Sequence, residues 1–268
     1  MDPAYGAQYE ALYRRHWWWR AREATIVSEL ARLRPPAGWH RILDVGCGNG
    51  LFFDRLQAFG EVEGVEPDTA SVDPGSAWRS RIHLGPFDET FRPGHRYDVV
   101  LFLDVLEHLA RPAEALRHGL DLLESAGLVV VTVPAFQWLW TNHDTLNHHR
   151  RRYDRQSFRR LALEAGLTIL RERYLFHWLV PAKLVVKGWE ALRRPTPATP
   201  PIPPAPLNTL FYLLSRLDNA VGMGIPHLGG GSLLVVGRPG GGDARIAPAS
   251  IAAARTEDAE DAESGGLR

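Results

Sequence analysis

The chain has a single cysteine, Cys47, and two methionines among 268 residues. One thiol excludes an internal disulfide and suits a reducing compartment. An excess of either charge is also missing, since 31 Lys and Arg balance 31 Asp and Glu. That balance argues against nucleic acid as the main partner, because polyanion binders carry a basic surplus. Nowhere do about 20 uncharged apolar residues follow one another, so no spanning helix is expected. The N-terminus lacks the apolar run of a secretory leader, and the expected location is cytoplasmic. No internal repeat is visible.

Apolar residues make up 45% of the chain, enough at this length for one α/β core with an elaboration. Strand-like runs fall at 41–45, 61–65, 81–84, 97–102, 127–133, 167–174 and 232–237. Helical patterns at 50–58, 112–123 and 155–165 alternate with them, which predicts a mostly parallel sheet with helices on both faces. Residues 1–36 read as a helical lid, with Tyr9, Leu12, Tyr13 and His16 to Trp19 rich in aromatics and Pro35-Pro36 closing it. A helix packed on the sheet edge is the ordinary alternative for this segment. Residues 37–174 form the expected core, 175–231 a helical hairpin with a proline-rich hinge at Pro195 to Pro206, and 232–238 the last strand. From 239 to 268 periodicity disappears, and a disordered tail is expected.

The core is organised around Ile42-Leu43-Asp44-Val45-Gly46-Cys47-Gly48-Asn49-Gly50. An apolar strand ends in an acid, and glycines at alternate positions let the backbone turn sharply and approach a ligand. A dinucleotide fingerprint needs a further glycine where Leu51 stands, which weakens a dehydrogenase reading. Cys47 in this turn reads as a small buried filler rather than a nucleophile. Strand two ends in Glu66-Pro67-Asp68, where an acid can accept both ribose hydroxyls of a nucleoside.

The G-x-G-x-G turn preceded by Asp44 resembles motif I of class I S-adenosylmethionine-dependent methyltransferases. Tyr97-Asp98-Val99-Val100 with Asp104-Val105-Leu106-Glu107-His108 is similar to the corresponding segment of ubiquinone-biosynthesis O-methyltransferases and their relatives. The resemblance covers about residues 10 to 175. It implies a Rossmann-like seven-stranded sheet whose last strand inserts antiparallel, and S-adenosylmethionine as cofactor. The residues it assigns to that cofactor are Asp44, Gly46, Cys47, Gly48, Asn49, Gly50, Glu66, Pro67, Leu103, Asp104 and His108. The family often places an acid after strand three to receive the adenine amino group. Here Pro86 stands in that place, leaving Asp88, or Phe87 with backbone groups, for adenine. In the quinone enzymes the counterparts of Asp104, Glu107 and His108 are implicated in divalent-metal binding. The same segment occurs in methyltransferases without metal, and a metal is not the favoured reading.

After strand five, Pro134 to Asp144 and Asn147 to Tyr153 bring Trp138, Trp140, His143, Asp144, His148, His149, Arg151, Arg152 and Tyr153 into one span. Ligands bind beyond the carboxyl ends of parallel strands, so this is the expected acceptor site. The span also resembles a branch of the superfamily with an H-D…H-H-R-R-Y signature. If the acceptor is a hydroxyl, a base must take its proton. His143, oriented by Asp144, is the first candidate, with His148 or His149 next. Arg151 and Arg152 are candidates to clamp an acceptor carboxylate or phosphate, against a plain role in ion pairs.

Within the hairpin, Leu175, Trp178, Leu179, Ala182, Val185, Val186, Trp189 and Leu192 share one face, opposite Lys183, Lys187, Glu190, Arg193 and Arg194. Leu207, Leu210, Phe211, Leu214, Leu217 and Val221 repeat the stripe. The ordinary reading packs these faces on the core. The sharper one makes 175–221 a peripheral contact with a membrane or a lipid substrate. The expected activity is methyl transfer from S-adenosylmethionine to a small-molecule or lipid-linked acceptor, O-directed. The alternatives are N- or C-methylation on the same fold, or a non-catalytic, membrane-associated cofactor-binding partner.

Overall fold

The computed structural model describes residues 3–222 and 229–240. The expected tail from residue 241 onward therefore lies outside the described residues. Seven strands, β1 (Arg41–Val45), β2 (Glu61–Glu66), β3 (Ile82–Leu84), β4 (Tyr97–Leu103), β5 (Leu123–Pro134), β6 (Leu167–Leu175) and β7 (Ser232–Pro239), form one sheet. Their order is β3-β2-β1-β4-β5-β7-β6, with β7 antiparallel between β5 and β6. Valine-rich runs such as Val129–Val131 and Leu233–Val236 are wholly buried, as strands covered on both faces must be. One core layer lies under α4 (Pro112–Asp121) and α6 (Arg155–Ala165), the other under α2 (Trp17–Leu33) and α3 (Phe53–Leu56). Strand order reverses between β1 and β4, the switch point where open α/β sheets form their crevice.

Three elements differ from the sequence expectation. The helix expected over 50–58 is only α3, because the glycine turn runs on to Leu51 and the chain turns back at Phe59. The N-terminal segment is two helices, α1 (Pro3–Arg15) and α2, broken at His16. Nδ1 of His16 accepts from the Trp18 amide at 3.1 Å and caps α2. Asn208 secures the break from outside, accepting from the Trp17 amide at 2.9 Å and donating to the Arg15 carbonyl at 2.8 Å.

The third difference is in the hairpin, α7 (Leu179–Arg193) and α8 (Ala205–Val221), joined through the prolines. The ordinary reading placed its apolar stripe on the core, and Leu175, Leu179, Trp178 and Phe211 do pack inward, but the rest of the stripe does not. Instead Val185, Trp189 and Leu192 of α7, and Leu210, Leu213, Leu217 and Val221 of α8, are all more than half exposed. The fully buried residues of α8 are Asn208, Ser215 and Asn219, and none of α7 is fully buried. Among the described residues no helix is long and apolar enough to cross a membrane.

Candidate active site

At the end of β1 the backbone enters the left-handed region at Gly46, Gly48 and Gly50 (φ 71°, 54° and 71°). A Cβ on Gly46 would stand 2.8 Å from Val105 Cγ2, whereas one on Gly48 would meet nothing within 4 Å. The turn is thus closed on one side and open at Gly48. The Gly48 amide donates to Glu66 Oε2 at 2.8 Å and the Asp68 amide to Oε1 at 2.9 Å. A carboxylate so held still has lone pairs for two hydroxyls. Burial pushes the Glu66 carboxyl upward against the pull of these two amides. Cys47 fills the space left by Gly64, and burial pushes its thiol far above the ordinary range. It packs the turn, and that burial disfavours the thiolate a nucleophile would need. Asn49 accepts from the Asp73 amide at 3.0 Å and ties the turn to the loop after β2, where Pro67 is exposed.

The crevice floor is acidic. Asp44 is buried at the end of β1, and burial raises its carboxyl to about 7, with Arg22 opposing and Glu66 adding to the rise. Beyond the half-buried Leu103, Asp104 adopts φ 60°, a left-handed conformation uncommon for non-glycine residues. Its Oδ2 lies 2.5 Å from Nε of Arg22, which descends from α2. The N-terminal helices therefore reach into the crevice. Arg22 went unnoticed in the sequence, since nothing in its spacing links it to an acid more than eighty positions away. Asp44, Asp104 and Glu107 all lie within reach of the Arg22 charge, and Glu66 lies beside Asp44, an arrangement that suits a ligand carrying positive charge.

The two residues expected to meet adenine have partners within the chain. The ring of Phe87 packs on Phe102 at 5.6 Å and His118 at 4.8 Å, on the core side of the loop. Asp88 is exposed and accepts from the Thr90 amide and hydroxyl, closing its own turn.

Past β5 the loop runs through a short turn at Gln137–Leu139 into α5 (Asn142–Leu146) and back to Tyr153. Its centre is Asp144, fully buried. Arg152 engages it through two nitrogens at 2.7 and 3.0 Å and gives a third to the Ala135 carbonyl at 2.8 Å. His149 Nδ1 lies 2.8 Å from the same carboxylate. Burial alone would raise the Asp144 carboxyl, but the bond from His149 and the charge of Arg152 hold it well below the carboxylate range. Asp144 thus orients His149 and not His143, which corrects the expected pairing. His143 faces Asn147, and burial with the Lys183 charge lowers its imidazole to about 3. His148 points outward in a left-handed turn, φ 56°.

The arginines are occupied in the protein's own structure. Arg150 binds the His108 carbonyl and Arg151 those of Leu109 and Ala110, so both pin the loop after β4, and Arg152 is buried on Asp144. Tyr153 is also buried, its hydroxyl directed at the Leu106 carbonyl. All three nitrogens of Arg152 are thus engaged within the protein, whereas Arg151 uses one nitrogen on two backbone carbonyls and is half-buried. Trp140 and His143 each stand 6.5 Å from the His149 ring, and His108 stands 4.7 Å from it. Trp138 is about half exposed at the rim, and its carbonyl receives Lys187 of α7 at 2.6 Å.

His149 also meets Glu107 and His108, and one ligand atom from each of the three lies within 4.8 Å of the others. Glu107 is fully buried and neither of its carboxylate oxygens has a hydrogen-bond partner. An orphaned carboxylate beside two imidazoles, one of them oriented by Asp144, fits a divalent cation. The set differs from the one the resemblance implied, since Asp104 is taken by Arg22 and His149 stands in its place.

Comparison with known proteins bears on the family and the fold of the chain. The curated ubiquinone biosynthesis O-methyltransferases of Bradyrhizobium diazoefficiens and Azorhizobium caulinodans are 31% and 34% identical to it, each over 107 residues. The chain spans about 42% of the length of those relatives, and the match covers 38% and 37% of this chain. A solved S-adenosylmethionine-dependent methyltransferase from Archaeoglobus fulgidus shares the fold with a TM-score of 0.51, at 15% identity over 80% of this chain and 93% of that one. A family model described as a methyltransferase domain matches residues 18–172. That match spans more than half of the chain, which therefore belongs to the methyltransferase-domain family.

Proposed function

We propose that the chain methylates a hydroxyl oxygen of a small-molecule or lipid-linked acceptor, with His149 as the base. The observation that carries this reading is the buried Asp144–His149 pair in the loop beyond β5. The names of the curated relatives, which are O-methyltransferases, point the same way.

S-adenosylmethionine, when bound, supplies a methyl group on a cationic sulfur. The open turn at Gly48 and the Glu66 carboxylate fit its nucleoside. Asp44 and Asp104 fit its positive groups, and Arg22, released from Asp104, fits its carboxylate. Glu66 holds the ribose and fixes the reach of the donor, which converts much of the barrier into prepaid orientation. Tyr9 and Arg22 of the lid cover the crevice and exclude water. Asp144 fixes His149 by its Nδ1 and leaves Nε2 to receive the acceptor proton. Trp138 and Trp140 wall the acceptor side.

The orphaned Glu107 carboxylate favours a second version of the same step. Glu107, His108 and His149 would hold a divalent cation, which supplies Lewis acidity toward the acceptor oxygen. One experiment separates the two. His149→Ala is expected to lower turnover about 10²–10⁴-fold with S-adenosylmethionine affinity unchanged. Full activity of the native chain in chelator would assign that loss to the base, and activity abolished by chelator and restored by Mg²⁺ or Zn²⁺ would assign it to the cation. A His149→Ala variant with native turnover would overturn both.

A further inference from the structure

In α8, residues 207, 210, 213, 214, 217 and 221 fall within one stripe of the helical wheel, and Asn208, Ser215 and Asn219 lie on the side opposite. The polar side is the one turned inward. Asn208 bonds both sides of the α1–α2 break, Ser215 accepts from the Trp178 indole at 3.1 Å, and Asn219 receives the Phe176 amide at 2.8 Å and donates to Thr25 at 2.9 Å. α7 is inverted in the same sense. Lys187 and Glu190 reach inward to the acceptor loop, the first to the Trp138 carbonyl and the second to the Asn142 amide at 3.0 Å. Leu184, Val185, Val186, Trp189 and Leu192 face out. Helices of a water-facing surface do the reverse. Each helix thus spends polar side chains on the protein and leaves an apolar stripe uncovered.

The charges of this segment identify what covers it. Between Leu175 and Gly222 the chain has five cations, Lys183, Lys187, Arg193, Arg194 and Arg216, against two acids, although the whole chain is neutral. Lys183 and Lys187 are turned toward the acceptor loop, which leaves Arg193, Arg194 and the half-buried Arg216 for the outer surface. Both acids are engaged within the protein, Glu190 by Asn142 and Asp218 by the His177 amide at 2.7 Å. Arg193 and Arg194 are exposed at the end of α7. A second copy would bring the same surplus of cations against itself, since a twofold interface meets its own image. An anionic bilayer satisfies both features at once, taking the apolar stripe among its acyl chains and the cations among its headgroups. α8 has 17 residues, about 25 Å along its axis, and lies along the protein rather than spanning anything.

We propose that the outward faces of α7 and α8 dock the enzyme on the surface of an anionic membrane. Because α7 is bonded to the acceptor loop through Lys187 and Glu190, docking sets that loop at the lipid surface, where an amphiphilic acceptor would present its head. The docking does not depend on the acceptor or on the base.

The test is sedimentation of the full chain with vesicles of phosphatidylcholine, with and without phosphatidylglycerol, in the absence of any acceptor. The chain is expected to pellet with the anionic vesicles at low salt and to be released by high salt. Trp189→Glu combined with Leu213→Glu should lower that partition at least about tenfold, since each buried side chain of this size contributes that much. Thermal stability and S-adenosylmethionine affinity of the variant should match the native chain, because both positions are exposed. Protein that stays in the supernatant at low salt, or binding indifferent to anionic lipid, would overturn the proposal. So would a stable dimer in sedimentation velocity that the same double substitution dissolves, which would give the face to a second copy. None of these results bears on methyl transfer, so docking and catalysis fail separately.

Discussion

In β5 and β7 the residues turned inward are Val129, Val131, Val133, Leu233 and Val235, whereas in α8 they are Asn208, Ser215 and Asn219. The sheet is held by removing apolar surface from water, with each strand covered on both faces. The hairpin is held by hydrogen bonds to backbone groups that would otherwise be orphaned, at the α1–α2 break and at the end of β6, beside ring contacts of Trp178 and Phe211 with Trp17. Such bonds contribute little net when made and cost more when one partner is left alone. The contrast shows that an amphipathic pattern locates a boundary between two environments without saying which side is protein.

Substitutions in the two regions should respond differently. The largest effect is expected at Phe102→Ala in the sheet core, about 3–5 kcal/mol of stability by denaturant titration, because a fully buried ring leaves a cavity. Asn219→Leu makes α8 more apolar, yet it should destabilise by about 1–3 kcal/mol, since the buried Phe176 amide loses its acceptor. A variant as stable as the native chain would show that apolar contact, not these bonds, holds the hairpin.

The seam between the regions should respond to pH. Burial lowers the His16 imidazole from 6.5 to about 4, and its unprotonated Nδ1 caps α2. The unfolded chain takes up a proton below about 6.5 and the folded chain only near 4, so this contribution is complete above that window and is lost as pH falls through it. His16→Asn keeps a capping oxygen without the titration and should flatten part of the fall in melting temperature between those values. The smallest effect is expected at Leu213→Gln on the outer face of α8, within about 0.5 kcal/mol, because that side chain is already in solvent. A clear loss there would mean that something covers the face even without a membrane.

Much of the turn after β1 was legible because its signals are local. The glycines after Asp44 need positive φ or open space, and Glu66, which receives the Gly48 amide, follows one strand later, so pattern and position coincide. The loop beyond β5 was legible only as a density of residue types. His143, His148 and His149 lie within a few positions of one another. Which of them Asp144 orients depends on how α5 turns and on Arg152 taking the other side of the carboxylate. Arg151 and Arg152 resemble an anion clamp in sequence because a guanidinium that closes a loop is indistinguishable there from one that binds a ligand.

By itself the sequence determined the order of strands and helices, the turn at Gly46 to Gly50, the acid at Glu66 and the amphipathic character of 175–221, since each rests on periodicity or backbone freedom within a few residues. Only the tertiary structure decided that Arg22 meets Asp104, that Glu107 is buried beside His108 and His149 without a partner, and that the hairpin turns its asparagines inward. Each of those outcomes joins groups from separate elements. Their energies come from desolvation and pairing across the fold, and no spacing along the chain encodes them.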